Sequence, residues 1–344
     1  MSLQVDIEKQ LGDFHLNVRF EADREAVALL GASGCGKSLT LRCIAGILTP
    51  DRGRIVLNGK TLFDSSEGIN LPPQKRHVGF LFQQYALFPN MTVWQNIAAA
   101  VPKKEQSDDL VEELLHRLRL TELSNLRPAQ LSGGQQQRTA LARILASSPE
   151  IILLDEPLSA LDSYLRYQVE LELSETLKNF NGPVVWVSHD RGEAFRNCPM
   201  VCVLDHGAST TMMTREALMK DPHSRAAASL AGCQNFVHVV PQGSHVFVPE
   251  WNVSLDCGRE VPAHINMIGI FAHDVAPGQR GFPCFVESVI EDINSVIFLL
   301  KPKQSEPKGA LLRMELPKKY GRLLMNIPEV TIEIKPSKIL LLEE

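Results

Sequence analysis

A chain of 344 residues has room for two domains at about 100 to 200 residues each. Hydrophobic residues at 44%, charged residues at 22% and aromatics at 6%, with 22 Gly and 21 Pro, exclude a disordered or fibrous polymer. A net charge of −5 argues against a nucleic-acid backbone as the main partner, since that would favour an excess of Lys and Arg.

The opening MSLQVDIEKQ has no basic stretch followed by an apolar one, and no apolar run reaches the roughly 18 residues that span a bilayer. Neither a secretory signal nor a membrane span is therefore expected. Seven scattered cysteines form no CxxC pair and are expected to be reduced thiols, with no zinc-finger spacing among them.

In chain order, VDIEKQL and FHLNVRF alternate polar and apolar residues and run into AVALL. That pattern predicts two antiparallel strands feeding a buried one. GASGCGKS follows, then a helical SLTLRCIAGIL, then GRIVLNGKTLF with a turn at Asn58 and Gly59. From about 93 to 146 the pattern is helical, as in LVEELLHRLRL. Strand signals return at EIILLDE and PVVWVSHD, joined by the helical SYLRYQVELELSETLKNF. A helical insert thus sits inside an α/β core. After about residue 230, short β-rich runs separated by Pro and Gly, such as HVFVPEWNVSL, INMIGIF and SVIFLLK, predict a small β-barrel or sandwich. KPKQSEPKG reads as a polar hairpin tip or surface loop.

GASGCGKS matches G-x-x-x-x-G-K-[ST] at Gly31, Gly36, Lys37 and Ser38, with an apolar strand before it and a helix after it. Its intervening residues are Ala32, Ser33, Gly34 and Cys35, and Leu39 continues into the helix. The glycines let successive N–H groups curl round an anion at a helix N-terminus. Lys37 supplies a point charge for β- and γ-phosphates, and Ser38 can ligate Mg²⁺. Four apolar residues ending in Asp155 and Glu156 form a strand that delivers carboxylates where open α/β sheets bind ligands. Asp155 is expected in the Mg²⁺ shell, and Glu156 to polarise the water that attacks the γ-phosphate.

LSGGQQQR supplies the discriminating element. Ser132 with Gln135 three residues on is a capping box. A bare cap does not account for Gly133 and Gly134, which cost stability in the first turn, so an exposed anion-binding helix end is the better reading. Here the chain resembles the ATP-binding subunits of ABC transporters. The resemblance implies a P-loop NTPase cassette of α/β class, with a mixed sheet core and a helical subdomain at about 90–148, binding ATP and Mg²⁺. It implies that Ser132, Gly133, Gly134 and Gln135 hold the γ-phosphate of ATP bound by a second copy of the chain. It also matches Gln83 to the Q-loop glutamine that reaches Mg²⁺ and the attacking water, Asp162 in SALD to the D-loop at the dimer seam, and His189 to the switch histidine on the γ-phosphate. One departure stands out: strand pattern puts Leu11 near the place of the family's adenine-stacking ring, and Phe14, the only nearby ring, sits at a strand position that suits the core.

The resemblance covers residues 1–230 closely. Residues 231–344 resemble a C-terminal TOBE/MOP-type β domain of importer ATPases, through AASLAGCQNF, IGIFAHDV and VTIEIKPSKILLLEE. Two roles stay open for that tail, sensing a ligand and supporting dimerisation. IVLNGKTLFDSSEGINLPPQKRHVGFLFQ and IGIFAHDV lean towards molybdate or sulfate importers, with ferric-iron, polyamine or sugar importers as alternatives. The family implies a place on the cytoplasmic face of the membrane, separate transmembrane permease subunits, an external solute-binding protein and no nucleic-acid partner. A non-transport ABC ATPase of DNA repair or translation is the competing class; its paired cassettes, long coiled coil or zinc modules have no counterpart in this sequence.

Overall fold

Alternation at the N-terminus folds as its period demands. In the computed structural model, which describes residues 1–102, 108–159, 163–210, 212–306 and 309–343, β1 (Leu3–Leu11) and β2 (Phe14–Ala22) pair antiparallel. Leu3, Val5 and Ile7 of β1 and Leu16, Val18 and Phe20 of β2 turn inward together. β3 (Ala26–Leu30) is buried along nearly its whole length and ends at the glycine-rich loop, from which α1 (Lys37–Ala45) departs. A hairpin of β4 (Arg52–Leu57) and β5 (Lys60–Asp64), with the short β6 (Ile69–Asn70), extends the antiparallel side. β7 (Val78–Leu81) then lies at the far edge of the sheet, parallel to the strand Ile151–Asp155.

The helical stretch expected next contains α2 (Val93–Ala98), α3 (Asp108–Arg117) and α4 (Gly133–Ala146). It gives way to β8 (Ile151–Asp155), α5 (Ser163–Lys178), β9 (Val184–Val187), α6 (Arg191–Asn197), β10 (Met200–Asp205), β11 (Ala208–Ser209) and β12 (Met213–Thr214). The sheet is mixed: β10, β3, β9, β8 and β7 run parallel in that order, while β5, β4, β1 and β2 form the antiparallel flank. Every residue of β8 and β9 is buried, which is why both read as unbroken apolar runs. The core packs these strands against Leu41, Cys43 and Ile44 of α1.

Contacts divide the chain into units Met1–Arg215 and Glu216–Glu344. The division falls earlier than residue 230 because the helix Arg225–Ala231 packs on the strand Met267–Ile270, and Ser224 bridges to Glu343. Among the described residues the second unit is an all-β assembly of three antiparallel sheets, two of three strands and one of four, with short helices. Trp251, Phe298 and Ile332 lie in its core. Asn235, in the CQNF stretch, is buried and ties two sheets by donating to the carbonyls of Ile270 (3.0 Å) and Arg313 (2.9 Å) and accepting from the Arg313 N–H (2.7 Å). The polar run 301–309 connects two strands and in part lies outside the described residues. Among the described residues no helix is long and apolar enough to cross a membrane.

Candidate functional site

β3 delivers the loop Gly31–Gly36 to the end of the parallel strands, and α1 starts at Lys37. Gly36 caps that helix at φ 108°, and a Cβ there would stand 2.4 Å from Leu16 Cδ1, so the position requires glycine on both backbone and packing grounds. The Lys37 side chain is buried and folds back across the loop, donating to the carbonyls of Gly31 (2.8 Å) and Ala32 (2.9 Å). It braces the curl and holds its charge beside the N–H groups. Ser33, Gly34, Gly36, Lys37, Ser38, Leu39 and Glu156 line one open cleft. Cys35 is buried in the loop.

The two carboxylates at the end of β8 separate. Ser38 Oγ donates to Asp155 Oδ1 at 2.6 Å, joining α1 to β8. Burial pushes the Asp155 carboxyl above its ordinary range, opposed by the Ser38 hydrogen bond. Glu156 adopts φ 48°, a left-handed conformation uncommon for a non-glycine residue. Its N–H donates to the Val187 carbonyl (3.0 Å), and its own carbonyl accepts from Ser159 Oγ (2.9 Å). That turn aims the side chain into the cleft, where Glu156 Oε2 lies 3.5 Å from Gln83 Nε2 and 3.4 Å from His189 Nδ1. Three residues distant in sequence, Gln83 after β7, Glu156 after β8 and His189 after β9, thus meet at one point beside the loop.

Ser132 and Gln135 form the anticipated capping box at the start of α4. Gln135 Oε1 accepts from the Ser132 N–H at 2.8 Å, and Ser132 Oγ accepts from the Gln135 N–H at 3.4 Å. Among the described residues no hydrogen bond joins Ser132, Gly133, Gly134 or Gln135 to the Gly31–Ser38 loop, and none of the four lines the cleft. Asp162 lies outside the described residues. Phe14 packs half-buried against the core, its ring 3.3 Å from where a Gly36 Cβ would stand, and Leu11 is exposed at the end of β1.

Sequence reasoning passed over the residues behind His189. Asp190 caps α6, and Glu193 three residues later predicts a reciprocal box. Only half of it forms: Asp190 Oδ1 accepts from the Glu193 N–H (3.2 Å), while the Glu193 carboxylate turns away to accept from Trp186 Nε1 (2.6 Å) and Ser188 Oγ (2.9 Å). The Asp-x-x-Glu spacing was the available signal, and tertiary packing redirected it. Burial pushes the Glu193 carboxyl up; the charges of Glu170 and Asp190 add to this and the bonds from Trp186 and Ser188 oppose it, with Arg196 and Cys198 also within electrostatic range. A raised native pKa means that the folded state takes up a proton more readily, so stability is lost as pH rises through that pKa. Glu193→Gln is therefore expected to melt higher than the parent at neutral pH, with the difference vanishing below about pH 4, where the unfolded carboxyl is also protonated. Thermal melts across pH check this.

The family model described as ABC transporter matches residues 15–159. The chain is 37% identical over 226 residues to a molybdenum import ATP-binding protein of Paramagnetospirillum magneticum, covering 65% of this chain and 62% of that one. It is 39% identical over 297 residues to a trehalose/maltose import ATP-binding protein of Thermococcus litoralis, covering 79% of each. A molybdate/tungstate import ATP-binding protein of Archaeoglobus fulgidus is 43% identical over 209 residues, covering 60% of this chain and 85% of that one. Among solved structures, a dimeric ATP-binding cassette in a post-hydrolysis state with ADP and Pi matches with a TM-score of 0.51 and 30% identity, covering 62% of this chain and 98% of that one.

Proposed function

Because the chain belongs to the ABC transporter family of import ATP-binding subunits, we propose that it binds and hydrolyses ATP to drive solute uptake through separate membrane permease subunits. The convergence of Gln83, Glu156 and His189 beside the Gly31–Ser38 loop carries this reading. The loop N–H groups and Lys37 cradle the β- and γ-phosphates. Glu156 accepts the proton of the attacking water, Gln83 orients that water, and His189 holds the γ-phosphate side of the cleft.

Hard oxygen donors suit Mg²⁺, and the Ser38 hydroxyl and Asp155 carboxylate, 2.6 Å apart, fit that requirement; Gln83 completes the proposed ligand set. Bound there, Mg²⁺ would neutralise phosphate charge. Two copies would close on two ATP molecules, with Ser132, Gly133, Gly134 and Gln135 of each copy reaching the other's γ-phosphate and Asp162 at the seam. The α4 capping box, which among the described residues meets no residue of its own cleft, suits that role.

The permease-facing surface is proposed at residues 83–94. Buried Asn96 shapes this segment, accepting from the Phe88 N–H (2.9 Å) and donating to the carbonyls of Phe88, Met91 and Thr92, and leaves Phe88 and Met91 exposed. Arg143 stacks on Phe88 from α4. On this reading the chain works at the cytoplasmic face of the membrane, and an external solute-binding protein completes the system. For the solute we favour an oxyanion such as molybdate or sulfate, consistent with the 55–83 stretch and with two of the relatives above; ferric iron, a polyamine or a sugar are the alternatives.

The test is to purify the chain with co-expressed permease subunits and to measure phosphate release and uptake of molybdate, sulfate, ferric iron, spermidine and maltose. ATPase activity lost on EDTA addition and restored by Mg²⁺, together with uptake of one solute, is expected. Failure to associate with any permease, together with ATPase stimulated by nucleic acid or ribosomes, would overturn the transport reading.

A further inference from the structure

His189 stands at the end of β9, and what holds it there is a buried acid that the proposed chemistry does not use. Along an extended segment, side chains alternate between faces. Trp186 and Ser188 point to one side and both meet Glu193, while His189 points to the other and meets Glu156. Glu193 is 4% exposed and has no cation at hydrogen-bonding distance among the described residues. Arg196 Nε and Nη2 pair instead with Glu170, each at 2.7 Å, and Asn197 Nδ2 joins the same carboxylate at 2.8 Å.

A buried carboxylate held only by neutral donors is costly, so its retention calls for a compensating role. The connections supply one. Ser188 Oγ, besides donating to Glu193, accepts from the Asp190 N–H at 3.0 Å, and Asp190 in turn caps the Glu193 N–H. The backbone on both sides of His189 is thereby closed into a ring that runs through the carboxylates of Glu193 and Asp190. In the plane of the sheet, toward β8, the Val187 carbonyl accepts from the Glu156 N–H, so the segment that Glu193 clamps also sets where Glu156 begins.

We propose that Glu193 is a positioning residue for hydrolysis, whose carboxylate clamps Trp186 and Ser188 and so fixes where His189 meets Glu156. The inference rests on the roles proposed above for His189 and Glu156. The clamp is geometric: what it needs is two hydrogen bonds, and the negative charge is incidental. A glutamine preserves both, its carbonyl accepting from Trp186 and its amide donating to Ser188 Oγ, whereas alanine preserves neither.

The experiment measures kcat and KM for Mg-ATP in the full chain for Glu193→Ala, Glu193→Gln, Ser188→Ala and His189→Ala, and for Glu193→Ala combined with His189→Ala. Because a misplacement of about 1 Å can cost up to about 100-fold, Glu193→Ala is expected to lower kcat by about 10- to 100-fold with KM within about twofold, and Glu193→Gln to restore most of it. In the His189→Ala background the alanine change is expected to cost nothing further, since residues acting through one another are non-additive. If Glu193→Ala does not fold, Ser188→Ala decides, with a smaller loss in kcat that is likewise absent in the His189→Ala background. Unchanged kcat in the folded variants, losses that simply multiply with His189→Ala, or a glutamine variant as impaired as the alanine one would each overturn the clamp. A His189→Ala chain with undiminished turnover would instead remove the histidine role proposed above, a result distinct from failure of Glu193 alone.

Discussion

Glu156→Gln is expected to slow phosphate release by about 10²- to 10⁴-fold, the usual worth of a general base, while the chain still binds ATP. The backbone of Glu156 is held at φ 48° by bonds to Val187 and Ser159, none of which involves the side chain, so the substitution leaves the turn in place. Glutamine is nearly isosteric and keeps an oxygen for Gln83 and His189, but it cannot take a proton from water. Loss should therefore fall on kcat and leave KM for ATP little changed, the signature of an interaction made only in the transition state. Steady-state phosphate release combined with equilibrium ATP binding measures both. Retained turnover with intact binding would remove Glu156 as the base and leave the cleft's proton acceptor to be sought elsewhere.

Arg76→Leu is expected to destabilise the Met1–Arg215 unit by about 3 kcal/mol or more, lowering its melting midpoint by roughly 10 °C. Arg76 is 1% exposed, and its guanidinium donates to the carbonyls of Leu71 (2.7 Å), Cys43 (2.9 Å) and Ile44 (2.9 Å) and to Asn70 Oδ1 (2.8 Å). The Cys43 and Ile44 carbonyls belong to the last turn of α1, where backbone acceptors are otherwise left over and a cation is favoured. Leucine fills the volume but strands the Ile44 carbonyl away from water and leaves the Cys43 carbonyl with the Gly46 N–H (3.1 Å) as its backbone donor. Gly46 closes the same helix end at φ 78°, and a Cβ there would stand 2.5 Å from Arg76 Nε, so the guanidinium and the glycine are fitted to each other. Because α1 carries Lys37 and Ser38 at its other end, a frayed C-terminus should also weaken ATP binding. Arg76→Lys should recover only part of the loss, since an ammonium cannot span four acceptors in a planar fork. Calorimetric melting of the three proteins, with ATP titrated into each, tests this; an Arg76→Leu protein that melts with the parent would refute it.

Much of the molecule is legible in the amino-acid sequence because its signals are local. Alternation in VDIEKQL and FHLNVRF, unbroken apolar runs at β8 and β9, and the Ser132/Gln135 spacing each encode a conformation within a few residues, and each forms as read. The antiparallel hairpin at Asn58 and Gly59 is of the same kind, both residues taking positive φ. Less legible are features that depend on which segments meet. Nothing near Arg76 marks it as the cap of a helix that ends thirty residues earlier, because a lone arginine in a polar stretch normally stays in solvent. Glu193 carries a capping-box signature, yet its carboxylate is taken by Trp186 and Ser188, since a buried indole N–H must find an acceptor. The domain division moves from residue 230 to 215/216 for a similar reason: the helix Arg225–Ala231 follows the first unit in sequence but finds its packing surface on the strand Met267–Ile270.

By itself, the sequence determined the chemistry on offer: a glycine-rich loop with Lys37 and Ser38, two acids ending a buried strand, a capped helix with two glycines in its first turn, and a histidine closing a strand. Backbone propensity and short-range spacing suffice for that, because each motif is contained in a handful of consecutive residues. Only the tertiary structure decided that Gln83, Glu156 and His189 share one point, that Ser38 reaches Asp155, and that Glu193 braces the far side of His189. Those distances follow from the order in which β7, β8, β9 and β3 lie side by side in the sheet, and strand order is set by long-range burial rather than by any local run of residues.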